Sequence, residues 1–301
     1  MVTRKEILYR YSEYSVNHRI EKDLVVGDML KSLNGYKVFV DNISGTRVKY
    51  YYVLNTWETD FFGINSVFLR FIDFDLEDIN ILQESIKRFL RKLYEDYGKQ
   101  NITIEIPSED NKVIQVLNCA KFRLIETRIH FYNSNLECYN GVRANVRVAK
   151  QADIENLKRV ASFMRNNYDR FHSDFSFKKA DADRYLSTYI ENSINGFTDL
   201  VMVPNEPNLP SDSFLTANIL RDKWAVLNHN ISKMVLSAVS SETNKGWYVK
   251  LISEMTYLLK EIGAETIFMN TQSTNIAVLH TWEKLGYHIG RTTHILSKHV
   301  E

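Results

Sequence analysis

The segment Thr271–Tyr287, TQSTNIAVLHTWEKLGY, limits the possible folds more than any other stretch of the chain. A short apolar strand, Thr266–Met269, runs into the polar turn Thr271–Thr274, and Asn275 then opens a helix. That helix stops at Lys284-Leu285-Gly286-Tyr287. A glycine past a helix end is an ordinary C-cap. A strand, a polar turn, an Asn-x-Ala helix and a Leu-Gly-aromatic stop in unbroken order is a far narrower pattern.

The remaining chain reads as an α/β protein in two parts. Tyr36–Asp41 and Val48–Leu54 alternate like half-buried strands, and Asn65–Ile72 follows as a third. Asp78 caps a long helix with Ile79, Leu82, Ile86, Leu90, Leu93 and Tyr97 at helical spacing, ended by Gly98. Asn101–Ile106 alternates as a strand closed by Pro107. The polar stretch Asn133–Gly141 reads as a linker, giving domains over 1–135 and 142–301. In the second, a strand at Asn145–Ala149 leads to a helix capped by Asp153 and a further helix over Ala180–Glu191. Strands near Leu200–Val203, Phe214–Leu220 and Lys233–Val239 come next, then a helix with Leu251, Ile252, Met255, Leu258, Leu259 and Ile262 inward, stopped by Gly263. Lys121–Thr127 and Gly286–Thr292 share aromatic-x-aliphatic-x-x-Thr behind a short helix. The echo marks the first domain as a truncated copy of the second; chance likeness of two strands is the alternative.

Composition removes several classes of function. Lys+Arg 38 against Asp+Glu 37 gives a net charge of +1, so nothing calls for nucleic acid or an anionic membrane. The charged N-terminus lacks a signal-peptide core, and no apolar run reaches the roughly 18 residues of a membrane span. Two cysteines, Cys119 and Cys138, fit a reducing cytoplasm. Without C-x-x-C, H-E-x-x-H or an acidic calcium loop, no metal is expected.

The order of elements over Thr266–Tyr287 resembles the last third of the GNAT acyltransferase fold, and three patches resemble its dTDP-amino-sugar N-acyltransferases, the dTDP-fucosamine acetyltransferase type. These are Trp57–Gly63 (WETDFFG), Tyr168–Asp174 (YDRFHSD) with Ala182, Asp183 and Tyr185, and Thr271-Gln272 with Asn275 and Ala277. The likeness spans roughly residues 50–299; the first 45 residues have no counterpart. It implies a GNAT fold in the C-terminal domain, a smaller truncated GNAT-like N-terminal domain, and coenzyme A, as acyl-CoA, for co-substrate. The implied reaction carries an acetyl or 3-hydroxybutyryl group to the amine of a dTDP-linked amino-deoxy sugar by direct attack. That activity places the protein in cytoplasmic polysaccharide-precursor synthesis, and a homodimer is compatible with it.

The same resemblance assigns residues. Backbone amides of Leu236, Ser237, Ala238 and Val239 pair with pantetheine and polarise the thioester carbonyl. Asn244, Lys245, Gly246, Trp247 and Tyr248 lie at the pyrophosphate, where the family normally carries Arg-Gly-x-Gly-x-Gly and this chain keeps only Gly246. Asn275 bonds the pantetheine arm or caps its own helix. Gln272 faces either ligand. The eighth residue counted from Asn275 is Trp282, where the family places a tyrosine whose phenol protonates the departing thiolate. An indole N–H donates a hydrogen bond but releases no proton near neutrality, and Trp282 is equally readable as core. His172 is the candidate base for the amine's proton, or else simply exposed, and Asp174 orients it or takes the proton itself through water. Arg170 takes a substrate phosphate or a surface ion pair, and Trp57 and Phe61 stack on thymine or belong to the core. Two rivals remain: an acyltransferase acting on a peptide or other small amine, and a silent relic of the fold that binds CoA or a partner.

Overall fold

The computed structural model describes residues 4–301. In chain order the strands are β1 (Lys37–Ile43), β2 (Thr46–Leu54), β3 (Asn65–Phe74), β4 (Gln100–Pro107), β5 (Arg123–Asn133), β6 (Val146–Val148), β7 (Leu200–Pro204), β8 (Ser213–Ile219), β9 (Ile231–Val239), β10 (Thr266–Gln272) and β11 (His288–Val300). The helices are α1 (Arg4–Arg10), α2 (Lys22–Leu33), α3 (Thr56–Phe62), α4 (Ile79–Tyr97), α5 (Asn111–Cys119), α6 (Ile154–Phe163), α7 (Lys179–Asn192), α8 (Arg221–Leu227), α9 (Trp247–Glu261) and α10 (Ile276–Lys284). Contacts divide the chain into a first unit, residues up to Arg128 together with Arg291–Glu301, and a second, Ile129–Gly290. Cys119 and Cys138 are exposed and unbridged.

The first unit carries the strand order β1-β2-β3-β4-β11. Asp78 accepts from the Asn80 N–H at 2.8 Å and starts α4, whose buried stripe is Leu82, Ser85, Ile86, Phe89 and Leu93. Phe89 stacks on Tyr50 of β2 with ring centroids 4.3 Å apart, and the Tyr50 hydroxyl bonds Ser85 at 3.0 Å. Division of the sequence at 142–301 put the last strand with the second domain. From Arg291 onward it belongs to the first unit, because Thr293–Val300 pairs antiparallel with β4 along its whole length and buries Ile295 and Leu296.

The parallel strands β3 and β4 pair only from Asn65↔Gln100 to Leu69↔Ile104. Past that point the N-terminal segment lies against the released end of β3. The Arg4 guanidinium donates to the Ile72 carbonyl, pairs with Asp110 at 2.8 Å and sits over the Phe71 and Phe74 rings at 4.8 and 4.3 Å. Tyr11 donates to the same Asp110 at 2.9 Å, and Arg70 donates to the Tyr11 carbonyl at 3.3 Å. The N-terminal segment thus covers the end of β3 past its last pairing with β4.

The second unit orders its strands β5-β10-β9-β8-β7-β6. Strand alternation builds its two cores. Val201 and Val203 of β7 face Leu157, Val160 and Ile190 of α6 and α7, while Met202 faces the opposite core with Leu251, Ile252 and Met255 of α9. Asp153 does stand before α6, but its carboxylate serves Arg147 at 2.7 and 2.9 Å and the Lys150 N–H at 2.7 Å, not the helix itself. The short α8 has no counterpart in the sequence reading; its Trp224 indole donates to the Ile231 carbonyl at 2.8 Å.

Candidate active site

β9 and β10 run parallel but pair only at Thr266↔Ile231, Ile267↔Ser232 and Phe268↔Lys233. From there Met234–Val239 and Met269–Gln272 carry no mutual register and the strands part. Exposure agrees with this opening. Val235 lies on an interior strand of the sheet and is still 38% exposed.

On its other edge β9 pairs with β8 through a bulge. Leu215 faces Ser237, but Ala217 faces Met234, so β9 holds one extra residue opposite Thr216. The Thr216 hydroxyl seats the bulge, accepting from the Leu236 N–H at 2.9 Å and donating to the Leu236 carbonyl at 3.2 Å. One inserted residue exchanges the two faces of a strand. Met234 therefore packs with the α9 core, whereas Leu236 and Ala238 pack with α6 and α7. Val239 returns to the α9 side. Of the four residues read as supplying free amides, Leu236 has its N–H engaged by Thr216.

Tyr248 stands in the first turn of α9. Its hydroxyl accepts from the Trp282 indole N–H at 2.9 Å, and burial pushes the phenol well above its ordinary value of 10.0. Trp282 itself is buried and meets Phe131 edge-on at 5.2 Å. It belongs to the core and still aims its one donor at the site. The turn before α9 is built differently from the sequence reading. Asn244 is 1% exposed, and its side-chain amide donates to the Pro210 carbonyl at 3.0 Å and to the buried Asp212 carboxylate. Thr243 donates to the same carboxylate. Asn244 anchors the turn and offers no donor outward, and Trp247 is a core residue. What faces outward is Lys245, exposed, and Gly246 at φ 87°. No side chain caps α9; the Trp247 N–H is taken by the Asn244 carbonyl at 3.0 Å, which leaves the later N–H groups of the first turn and the positive dipole end for an anion. The residues present therefore fit an acyl-CoA arm along the strand gap with phosphate at the helix end.

At the end of β10, Gln272 accepts from the Asn166 amide at 2.8 Å, and Asn275 donates to Thr271 at 3.2 Å with no capping bond of its own. The Asn166 bond ties the α6–α7 loop to the mouth of the gap. In that loop His172, with only 3% of its side chain exposed, lies between two carboxylates: Nδ1 is 2.6 Å from Asp169 and Nε2 is 3.1 Å from Asp183. Arg165 also pairs with Asp183, at 2.7 Å. Burial works against charge on the imidazole, but its bonds to Asp169 and Asp183 and the Asp169 charge outweigh it, and the pKa is raised. With both nitrogens facing carboxylates, His172 has no lone pair directed at an acceptor amine. Nor does Asp174 orient it; that carboxylate is buried and accepts from the Ser176 N–H at 3.0 Å. The i,i+3 spacing of Asp169 and His172 was the available signal. Arg170 stacks on Phe171 at 4.2 Å. Trp57 and Phe61 lie in the first unit, half-buried, with rings 5.8 Å apart. Thr216 and Asp212 left no motif by which sequence could find them.

No protein-family model and no curated protein sequence matches the chain. Solved structures do. A GCN5-related N-acetyltransferase from Sphaerobacter thermophilus is similar over 99% of this chain and 91% of its own, with TM-score 0.60 and 9% identity. A functionally unknown conserved protein from Staphylococcus epidermidis is similar over 89% and 96%, with TM-score 0.57 and 11% identity. A fungal multi-domain β-N-acetylglucosaminidase, described as containing a GCN5-related glucosamine N-acetyltransferase region, is similar over 93% of this chain and 35% of its own, with TM-score 0.57 and 13% identity. At such identities the likeness fixes the fold, which is the GNAT fold over most of the chain.

Proposed function

We propose that the protein is an acyl-CoA-dependent N-acyltransferase whose acceptor is the amine of a dTDP-linked amino-deoxy sugar. The parting of β9 and β10 past Lys233 and Phe268 carries the reading. A thioester arm laid between two parallel strands recovers the backbone bonds that the strands withhold from each other. Acyl-CoA supplies an activated acyl group there; the chain holds it and brings an amine alongside, an advantage of orientation that can be large. The three motif patches support a nucleotide amino sugar, and the fungal neighbour's description names an amino sugar for that protein. The first unit, with its own partly paired parallel strands, reads as a degenerate half copy. A cytoplasmic setting accords with this role. Among the described residues no helix is long and apolar enough to cross a membrane.

Thiol release from acetyl-CoA and 3-hydroxybutyryl-CoA, measured with a panel of dTDP-amino sugars, tests the reading. Release with one sugar, and none with peptides or aminoglycosides, is the expected result. Release only with peptides or aminoglycosides moves the acceptor to another class. Calorimetric CoA binding without any release leaves the silent relic, to which the indole at position 282 speaks.

A further inference from the structure

The geometry of β1 points to a second copy of this chain, paired edge to edge along that strand about a two-fold axis at Phe39. The inference concerns the first unit alone and stands whether or not the acyltransferase reading does. β1 ends its side of the sheet, with β2 as its one neighbour in the strand order. The two-residue turn Ser44-Gly45 makes Ile43↔Thr46 a hydrogen-bonded pair, so Asp41, Phe39 and Lys37 are the next residues bonded to β2. The N–H and C=O groups of Val38, Val40 and Asn42 therefore point away from β2, toward the open edge. Proteins that stay monomeric guard such an edge with proline, a bulge, charge or brevity. β1 has seven residues, no proline and an unbroken register, whereas β6, the outer strand of the second unit, has three residues. Phe39 turns to Phe89 of α4, ring centroids 5.7 Å apart. Val38 and Val40 lie on the opposite face, each 45% exposed.

Charge selects the register. Antiparallel pairing about Phe39 sets Val38 opposite Val40 of the second copy and Lys37 opposite its Asp41, each contact made twice. Pairing about Asp41 sets two aspartates face to face, and pairing about Val38 or Val40 leaves Lys37 opposite Phe39 or Ile43. Asp41 suits the first arrangement. It is 7% exposed; Arg88 reaches one carboxylate oxygen at 3.4 Å, and the other is buried with no hydrogen-bond partner. A buried oxygen left unpaired is costly, and the facing ammonium supplies a donor. Lys37 gives one of its three hydrogens to the Tyr97 hydroxyl at 2.7 Å and keeps two.

Sedimentation of the full-length chain over a wide dilution range tests the pairing, and a species of twice the chain mass is expected. Val40→Lys charges the edge without touching a bond to β2. It should return the chain mass with far-UV circular dichroism unchanged. Lys37→Glu faces Asp41 of the second copy twice and should weaken association by about tenfold or more. Disulfide formation in a Cys119→Ser, Cys138→Ser background reads the register. Val38→Cys mixed with Val40→Cys should crosslink, because opposed Cα atoms of a bonded pair lie about 5.5 Å apart, while neither variant crosslinks with itself. Self-crosslinking of either variant, or a dimer indifferent to Val40→Lys, overturns the inference. A species of chain mass at every concentration overturns it too and leaves the edge to an extended segment of another protein.

Discussion

His172 titrates between two carboxylates, and the sign of its shift decides when the α6–α7 loop is held. Asp169 and Asp183 raise its folded pKa above the ordinary 6.5, with Arg165 the opposing cation nearby. The stability it adds is therefore complete below about pH 6.5 and is lost as pH rises through the raised folded value. His172→Gln should flatten the pH dependence of thermal stability across that window, and a proton NMR titration should find the His172 midpoint above 6.5. A depressed midpoint contradicts the sandwich. Asn244 makes a second prediction of this kind. Asn244→Ala removes a donor from the buried Asp212 carboxylate, so stability in urea should fall by about 1.5–3 kcal/mol. At this scale the sequence disclosed which residues gather near the gap and missed how they are used. Asn244, His172 and Trp282 each lie in the marked segments, but their partners Asp212, Asp183 and Tyr248 lie 11 to 34 residues away, beyond the reach of local spacing.

The bulge in β9 belongs to the scale of elements. Without Thr216 to hold both the N–H and the carbonyl of Leu236, nothing keeps the extra residue in place. Thr216→Val preserves shape and removes the hydroxyl. Activity should fall by up to about 10²-fold, because a displacement near 1 Å at a reacting centre costs that much, and the unfolding midpoint should fall too, because the Leu236 N–H and carbonyl lose their shared partner. Equal turnover in Thr216→Val would show that the bulge does not set the site. Gly246 gives a matching case at the other end of the gap. Its φ of 87° means that Gly246→Ala costs about 1–2 kcal/mol and disturbs the first turn of α9. Elements with strong periodicity, such as α4 and β7, were legible because burial repeats with the helical or strand period. A bulge changes no composition and is set by the neighbouring strand, so nothing along β9 disclosed it.

For the molecule as a whole, the C-terminal strand is the least expendable part. Truncation after Gly290 removes the partner of Gln100–Pro107 and the buried apolar side chains Ile295 and Leu296 from the first unit. The truncated protein should lose cooperative unfolding, and far-UV and near-UV circular dichroism would record it; an intact sharp transition would contradict the assignment of that strand. The covered end of β3 in the first unit has a numerical consequence. Where the second unit leaves a cleft, the first has already filled its own with Arg4 and Tyr11. A titration with acyl-CoA should therefore saturate at one equivalent per polypeptide, the other berth being permanently let to the molecule's own leading end.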